Sequence, residues 1–333
     1  MESWGKYRIE KYTEMIEQKW DNFVLKESIN GTFLQTRRFI NYHPKERFTD
    51  HSLVIYKGNA IVACILACEL KEAEGKKFFS HKGTSYGGIV VSSNIYNASG
   101  ISVLMDIFED YLKNEGFYSV YLKMTPSIFS RGGVDLLDYF LYQRGYIQYN
   151  ELNYYMRLER YQEDILSQFS SSKRRDFRYS LKNNLIFKEL TTPEAIKEFY
   201  RVLQLNLEKL GLTSVHTYNE LLELKQERFD KNIEFYGVYQ GEQMIAGSMI
   251  FLFDNRIMHT QYLSSDEKYL SYFPMDFLIY NLISLAVNRE FQIFTFGICT
   301  EEQGRYLNLG LSRFKEGFGT EYCLNKSFEK LLM

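Results

Sequence analysis

The sequence predicts an α/β protein with mixed sheets, built from two tandem copies of one unit. Its 333 residues suit about two domains of ordinary size. The segments LVIYKGNAIVAC (53–64) and YGVYQGEQMIAG (236–247) match, and each is typical of a β-hairpin with glycine in its turn. After each hairpin, the same order of strand, amphipathic helix and buried strand recurs. A repeated α/β unit explains both observations.

Composition excludes several classes of protein. A net charge of -2, 45% hydrophobic residues and only 4 prolines argue against a disordered tail or a bulk nucleic-acid binder, and we expect no DNA binding. The longest apolar run, Ile61 to Cys68, is far shorter than the roughly 20 residues of a membrane span. The N-terminal residues lack the apolar centre of a signal peptide. We therefore expect a cytoplasmic protein without a membrane span.

The second copy carries the clearest helix signals. Thr192, Pro193 and Glu194 form a strong helix start, and the apolar stripe that follows ends at Gly211. A capping box at 217–220 opens a second helix that runs to about residue 228. The other predicted elements are strands at 186–190, 233–239, 243–253 and 256–263, a helix near 273–288 and a buried strand at 292–296.

The first copy shows the corresponding elements in the same order. They are a helix at about 12–27, strands within 51–91, a helix at about 100–115, and strands near 117–124 and 145–158. A basic helical segment at about 161–182 lies between the copies. We assign residues 1–160 to the first domain and residues 161–333, with this segment, to the second.

Motifs for metal, thiol and nucleotide chemistry are missing from the sequence. HExxH, CxxC, GxSxG and the Walker loop do not occur. Cys64 and Cys68 lie four residues apart in an apolar strand and are typical of small core residues. We expect no bound metal and no covalent nucleophile.

Four motifs resemble the FemABX-like tandem GNAT proteins, which include peptidoglycan aminoacyltransferases and the acyltransferases often called BioF2-like. The resemblance extends over nearly the whole chain and implies two GNAT-type units. The motifs are GTFLQTRRFINYH (31–43), SHKGTSYGGIVV (80–91), SSKRRDFRYSLKNN (171–184) and TEEQGRYLNLGLSRFKEGFG (300–319).

This resemblance implies an acyltransferase in which a primary amine attacks an activated acyl carbonyl. We expect an acyl thioester, acyl-CoA, as the donor. The expected acceptor is an amine of a cell-envelope glycan precursor, lipid-linked or nucleotide-linked, or of an amino sugar. Two alternatives stay open: transfer of an amino acid from charged tRNA to a peptidoglycan precursor, and a non-catalytic pair of GNAT-like units that only binds a nucleotide sugar or a partner protein.

The usual pyrophosphate loop of acetyl-CoA-binding GNAT units is absent. At its expected place, after the fourth strand, the residues 264–269 contain no glycine and two acids. Carboxylates there repel phosphates. Tandem members of the family commonly lack the loop, so its absence places acetyl-CoA in doubt as the donor while leaving the resemblance intact.

The C-terminal motif supplies the candidate catalytic residues. The pair Phe314 and Lys315 matches the Phe-Lys motif of the aminoacyltransferases, in which the ammonium lies near the reacting ester and Phe314 contacts substrate. The alternative is a solvated lysine at the start of a strand. Glu301 is a candidate proton acceptor if it is partly buried, although Thr300 to Gln303 also reads as the capping box of a short helix.

The basic segment between the copies supplies candidate phosphate ligands. Arg175, Arg178 and Lys182 follow i, i+3, i+7 spacing and share one helical face. The family motif favours Arg175 and Arg178 as ligands of substrate phosphates, with a solvated face as the alternative. Gln261 lies late in the fourth strand of the second copy, where GNAT proteins splay two strands and hold the acyl carbonyl with backbone N-H groups.

The first copy contributes further candidates for substrate binding. His81 and Tyr86 lie in a Gly-rich turn, where the imidazole could donate to a phosphate or hydroxyl and the ring could stack on a sugar. A simple tight turn is the alternative. Arg38, its neighbour Arg37 and His43 are candidates for an acceptor phosphate. The sequence leaves open which unit holds the active site.

Overall fold

The computed structural model describes residues 6–209 and 211–332. These residues form two compact units. The first contains the described residues up to Glu151, together with Glu302–Gly304 and the residues from Leu324 onward. The second contains Leu152–Glu301 and Arg305–Cys323. The described residues from Leu324 onward thus belong to the first unit. The predicted division at residue 160 follows chain order instead, and it stays a prediction.

The described residues form strands and α-helices in both units. The strands are β1 Tyr7–Lys11, β2 Thr49–Asp50, β3 Leu53–Lys57, β4 Ala60–Ile65, β5 Cys68–Glu72, β6 Gly75–Ser80, β7 Ile89–Val91, β8 Phe117–Lys123, β9 Ile147–Arg157, β10 Leu185–Glu189, β11 Ile233–Gln240, β12 Gln243–Phe253, β13 Ile257–Ser265, β14 Ile293–Ile298, β15 Thr300–Glu301, β16 Tyr306–Leu307 and β17 Glu321–Leu331. The α-helices are α1 Glu17–Asn22, α2 Arg37–Ile40, α3 Ala98–Asn114, α4 Asp135–Gln143, α5 Ser171–Ser180, α6 Pro193–Lys209, α7 Tyr218–Glu223, α8 Pro274–Asn288 and α9 Leu309–Glu316.

The first unit contains two sheets around the amphipathic helix α3. Strands β1, β3, β4 and β7 form an antiparallel sheet in that order. In the other sheet, β2, β5 and β6 are antiparallel, β6 runs parallel to β8, and the C-terminal part of β17 pairs with β8. Buried residues of α3, including Ile101, Leu104 and Phe108, recur every three or four positions and fill the core between these elements.

The second unit contains a mixed sheet and, from its C-terminal motif, the short strand pair β15 and β16. Strands β10, β11, β12 and β13 are antiparallel neighbours, β13 runs parallel to β14, and β14 pairs antiparallel with the second half of β9. Helix α8 contributes the buried residues Leu278, Leu282 and Ala286 to the core of this unit. The mixed α/β class that the sequence predicts is confirmed.

The repeated hairpin has the same irregularities in both units. In β4, Val62 is an extra residue opposite the step from Ile55 to Tyr56, and in β12, Ile245 is an extra residue opposite the step from Val238 to Tyr239. A β-bulge of this kind is a specific, kept feature of a strand. The turn glycines also agree, with φ of 63° at Gly58 and 61° at Gly241. The predicted pair of tandem units is therefore confirmed in detail.

The predicted helix starts of the second unit are confirmed as well. Helix α6 begins at Pro193. The side chains of Thr217 and Glu220 cap each other's backbone N-H groups at the start of α7. The basic segment between the copies is helical over a shorter range than predicted, because Ser170 caps α5 and so sets its start at Ser171.

The C-terminal motif differs from the prediction in two places. Thr300 and Glu301 form strand β15, paired with β16, instead of opening a helix. The chain reverses directly afterwards, since Glu302 and Gln303 have φ of 50° and 57°, outside the helical range. Lys315 lies inside α9 and not at the start of a strand, because Asn308 caps this helix with a hydrogen bond of 3.0 Å from the N-H of Leu311.

Candidate active site

Strands β13 and β14 of the second unit separate after a short parallel contact. Their pairing consists of three residue pairs and ends with His259 opposite Thr295. Each strand then carries an extra residue relative to its other neighbour, Gln261 in β13 and Phe296 in β14. Bulges bend a strand and interrupt its ladder. We call the opening beyond His259 and Thr295 the strand gap.

The predicted residue Gln261 lies at the strand gap as the bulged residue of β13. Because the extra residue of a bulge has no partner opposite it in β12, its backbone groups are not committed to that ladder. Its side chain is partly buried. The local geometry therefore matches the splayed strands that the family resemblance implies.

Lys315 holds the other side of the strand gap. Its side chain is buried, with 4% of its surface exposed, and burial lowers its pKa. The ammonium donates hydrogen bonds to the carbonyl oxygens of Phe296 at 2.9 Å, Gly297 at 3.1 Å and Ile298 at 2.8 Å. The alternative of a solvated lysine is therefore wrong. All three N-H groups are used to fix the bulge of β14.

The convergence of three carbonyl groups requires an unusual backbone. In an extended strand, successive carbonyls point to opposite sides, whereas the bulge at Phe296 breaks this alternation. Gly297 has a φ of 73°, which glycine adopts without steric cost. A cation in the middle of the three oxygens compensates for their burial.

His259 lies beside this lysine at the last residue pair before the gap. A Cβ atom at Gly297 would stand 3.4 Å from the Cε1 of His259, so the imidazole faces β14 at its bulge. Burial, together with the charge of Lys315, lowers the pKa of His259 to about 4. The imidazole is therefore neutral at pH 7. A position on an apolar strand gives no sign of the neighbouring gap, so the sequence by itself does not distinguish this residue from a core histidine.

Two other residues of the C-terminal motif lie away from the chemistry predicted for them. Glu301 is exposed and not partly buried as expected, and its role as a proton acceptor stays a prediction. Phe314 is partly buried, with its ring centroid 5.3 Å from that of Phe318 and 4.4 Å from the Nζ of Lys173. It packs within the second unit.

The basic helix α5 divides into two parts. In its first half, Lys173 forms a largely buried ion pair of 2.8 Å with Asp276, and Arg175 pairs with Asp176 at 3.2 Å on the surface. Arg178, in the second half, is exposed and forms no ion pair within the described ranges. Arg175 and Arg178 are both accessible to a phosphate, and their roles as ligands stay predictions.

The first unit contains a separate cavity of about 380 Å³. Its charged and polar lining includes Arg37, His43, Lys45, Asp50 and His81. Tyr12, Phe48 and Ile40 supply ring and apolar walls. A cavity of this size is typical of a site for a small ligand or part of one, and its mostly polar lining suits a polar ligand.

Arg37, and not the predicted Arg38, lines this cavity. The Arg37 guanidinium donates to Asp50 at 2.8 Å and to the Oγ of Ser52 at 3.0 Å, and it lies 3.8 Å from the ring centroid of Tyr12. Arg38 is exposed. Helical spacing is a signal that distinguishes the buried arginine from the exposed one. Arg37 precedes the apolar residue Ile40 by one turn and therefore shares its buried face.

The two histidines of the cavity are linked through Gly83. Nδ1 of His43 accepts from Arg47 at 3.0 Å, so its Nε2-H donates to the Gly83 carbonyl at 2.7 Å. The N-H of Gly83 donates to Nδ1 of His81 at 2.9 Å. Burial lowers the pKa of His81 to about 3, so its ring is neutral and carries its hydrogen on Nε2. His81 can act as a neutral donor, as predicted, but not as a cation.

The Gly-rich turn around these residues has a structural function. A Cβ atom at Gly83 would lie 2.6 Å from the Nε2 of His43, so glycine permits the close approach of the ring. Tyr86 is buried, with 5% of its surface exposed, and its hydroxyl lies 3.2 Å from the Oγ1 of Thr32. A face open for stacking on a sugar, as the sequence suggested, is not present.

The structure thus groups the predicted residues into two places. Lys315 and Gln261 meet at the strand gap, together with His259. His81 lies in the cavity of the first unit, together with Arg37 and His43. Over the described parts of the chain, no helix is long and apolar enough to cross a membrane, and no group of three metal-ligating side chains is found.

Comparison with known proteins agrees with this geometry. The family model of the acetyltransferase (GNAT) domain matches residues 170–316, which include the strand gap. No curated protein matches the chain. Among solved structures, FemX is similar with a TM-score of 0.70 and 13% identity, over 97% of each chain.

Two further structures share the fold over nearly their whole length. A tandem GNAT protein from the clavulanic acid biosynthesis pathway has a TM-score of 0.58 and 8% identity, covering 98% of this chain and 99% of its own. The DUF2156 domain assigned to a lysylphosphatidylglycerol synthetase of Agrobacterium fabrum has a TM-score of 0.63 and 8% identity, covering 95% and 92%.

These findings define the class of the protein. The second unit carries a GNAT acetyltransferase-type domain, and the protein is a transferase of the acyl-transfer class. Over nearly the whole chain, the fold is that of FemX and of the tandem GNAT protein, which is the fold that the motifs predict.

Proposed function

We propose that the protein transfers an acyl group from an acyl thioester, acyl-CoA, to a primary amine of a cell-envelope glycan precursor or an amino sugar in the cytoplasm. The strand gap is the observation that supports this proposal. Parallel pairing of β13 and β14 stops after three pairs, and the bulged residue Gln261 follows at once. A backbone N-H that is free of the ladder can bind the carbonyl oxygen of the acyl group and stabilise the oxyanion.

The reaction needs a neutral amine and a proton acceptor. The amine nitrogen attacks the carbonyl carbon, a C-N bond forms, and the C-S bond of the thioester breaks. His259 is neutral at pH 7, but its pKa of about 4 makes it a weak base, so the amine proton passes by way of water to the departing thiolate. Glu301, whose side chain is exposed, stays the predicted proton acceptor of the chain.

Lys315 contributes through position and charge. Its three hydrogen bonds fix the bulge that opens the gap. Because its ammonium is buried beside the gap, its charge also favours an oxyanion there. We therefore assign Lys315 to shaping the site and stabilising negative charge, without direct donation to the substrate.

The cavity in the first unit suits a polar ligand that carries phosphate or sugar groups. Arg37 and the neutral donor His81 offer hydrogen bonds to phosphate or sugar oxygens, while Asp50 and Glu14 suit hydroxyl groups or an amine. Arg175 and Arg178 remain candidates for other phosphates of either substrate. A peptidoglycan or polysaccharide precursor fits this combination of polar groups.

A specific feature keeps aminoacyl-tRNA as a second candidate donor. Helix α8, which follows the site of the missing pyrophosphate loop, begins at Pro274 and carries Asp276 in its first turn. Proline has no N-H to donate, and a carboxylate at a helix start competes with a phosphate ligand. FemX and the lysylphosphatidylglycerol synthetase domain share the fold, and the name of the second indicates aminoacyl transfer.

Thermal unfolding with acetyl-CoA and with a longer acyl-CoA tests the donor. A ligand at about 100 times its dissociation constant adds about 2.7 kcal/mol, which corresponds to a shift of several degrees. We expect a shift with at least one acyl-CoA and none with free pantothenate as the control. The absence of any shift, combined with transfer from charged tRNA, would replace the thioester by the tRNA ester.

A further inference from the structure

We propose that the second half of helix α5 and the turns beside it dock on the surface of a bilayer that contains anionic phospholipids. The surface consists of Arg178, Tyr179, Leu181, Lys182 and Leu270, and we call it the α5 patch. The proposal goes beyond the proposed function and does not rest on it, since it concerns where the protein binds and not what it transfers.

Three large apolar side chains of the α5 patch are open to solvent. Tyr179 is 45% exposed, Leu181 56% and Leu270 50%. Side chains of this kind are ordinary when scattered singly, but a group of them marks an interaction surface.

Contacts hold the two segments of the patch side by side. The ring of Tyr179 stacks on that of Phe273 with centroids 5.9 Å apart, and Phe273 follows Leu270 by one turn. The Nδ2 of Asn183 donates to the carbonyl oxygens of Tyr179 at 3.0 Å and Tyr272 at 3.4 Å. The segments that carry the exposed side chains therefore lie next to each other.

Two exposed cations lie in the same place. Arg178 and Lys182 are exposed, and neither forms an ion pair within residues 6–209 and 211–332. The Nζ of Lys182 lies 5.0 Å from the ring centroid of Tyr179. The acid nearest to Leu270 along the chain, Glu267, is itself paired with Lys209 at 3.2 Å. The patch is thus cationic as well as apolar.

This combination fits a membrane surface better than a nucleic acid. Phosphates of RNA would satisfy the two cations, but the exposed leucines would gain little from an RNA backbone. At a bilayer, tyrosine lies at the level of the headgroups, leucine enters the acyl boundary, and lysine and arginine attract anionic lipids. A short amphipathic helix can lie in the plane of that interface.

Co-sedimentation of the full chain with lipid vesicles tests the proposal. We expect binding to vesicles of phosphatidylcholine with phosphatidylglycerol, weakening with salt, and little binding to phosphatidylcholine alone. The variant Arg178→Glu/Lys182→Glu should bind about 30-fold more weakly, since each basic residue near an anionic surface contributes roughly fivefold. The matched control Lys197→Glu/Lys231→Glu changes the net charge equally at exposed lysines on α6 and before β11, and should bind within about twofold of the wild type.

A second variant separates the membrane from RNA. Leu181→Ser/Leu270→Ser keeps the charge and should weaken vesicle binding about tenfold while leaving retention of bulk tRNA unchanged. Thermal unfolding checks that each variant is folded. Failure of the wild type to bind anionic vesicles, retention of tRNA without vesicle binding, or equal binding by both patch variants and the wild type would overturn the proposal.

Discussion

Each unit contains a pair of parallel strands, and the two pairs end in opposite ways. In the first unit, β6 and β8 stay paired over five residue pairs, and the Oγ of Ser80 then accepts hydrogen bonds from the N-H groups of Lys123 at 2.8 Å and Gly88 at 3.2 Å. In the second unit, β13 and β14 separate after three pairs. The hydroxyl group of Ser80 thus binds the backbone N-H groups where the β6–β8 pair ends. The β13–β14 pair, in contrast, stays open beside the buried ammonium of Lys315.

This difference shows how one repeated unit can serve two purposes. A closed strand end satisfies its own backbone donors and leaves none for a substrate. An open end needs a support that keeps the strands apart, and Lys315 supplies it from α9. This contrast supports the proposal that acyl transfer takes place in the second unit and that the first unit binds a polar ligand.

The backbone N-H of Gln261 provides the test with the largest expected effect. Gln261→Pro removes this donor, and a bulge is one of the strand positions that tolerate proline. We expect a loss of about 100-fold to 1000-fold in kcat, as for other single oxyanion donors. Gln261→Ala keeps the N-H and should retain nearly full activity. Equal activity of the two variants in a steady-state acyl-transfer assay would remove the strand gap from the mechanism.

Lys315 should matter to both folding and turnover. Lys315→Ala leaves three carbonyl oxygens at the bulge without their donor, and we expect a loss of about 3 kcal/mol in the free energy of unfolding. We expect kcat to fall roughly 100-fold. Urea unfolding and a rate assay on the same sample measure the two effects. A variant that loses rate while keeping full stability would point to direct donation to the substrate instead.

The pH dependence of the free energy of unfolding tests whether His81 is buried in the cavity of the first unit. Its folded pKa of about 3 lies below the ordinary value of 6.5, so the unfolded chain binds more protons between these values and stability falls as the pH falls. Between pH 7 and pH 5, this group removes about 2 kcal/mol of stability. In His81→Asn, the loss over that pH interval should be smaller by that amount. An unchanged pH dependence in urea titrations would show that His81 is readily protonated in the folded state.

The smallest effect is expected from substitution of Ser80. This residue closes the strand pair of the first unit, whereas Lys315 supports the open strand pair of the second. Ser80→Ala leaves the N-H groups of Lys123 and Gly88 without their acceptor, and it should lower the free energy of unfolding by about 1 to 2 kcal/mol. Because the closed strand pair holds no substrate, kcat should stay within about twofold of the wild type. A large loss of rate in the folded variant would assign chemistry to the first unit.

Local signals in the sequence determined the fold class and the repeat. The glycine turns at Gly58 and Gly241 and the capping box at Thr217 act through neighbours within a few residues, and each was found where the sequence predicts it. The capping-box pattern that starts at Thr300 predicted a helix wrongly. Thr300 and Glu301 instead form β15, which pairs with β16, and the chain reverses between these two strands.

Tertiary structure alone decided what the polar residues can do. The sequence singled out Lys315, but only packing of α9 against the bulge of β14 commits its ammonium to three carbonyls that lie 17 to 19 residues away. Likewise, nothing local distinguishes a core histidine from His259, which faces the strand gap. Burial and convergence arise from contacts between distant segments, so hydrogen-bond partners and pKa values follow from the fold and cannot be assigned from spacing.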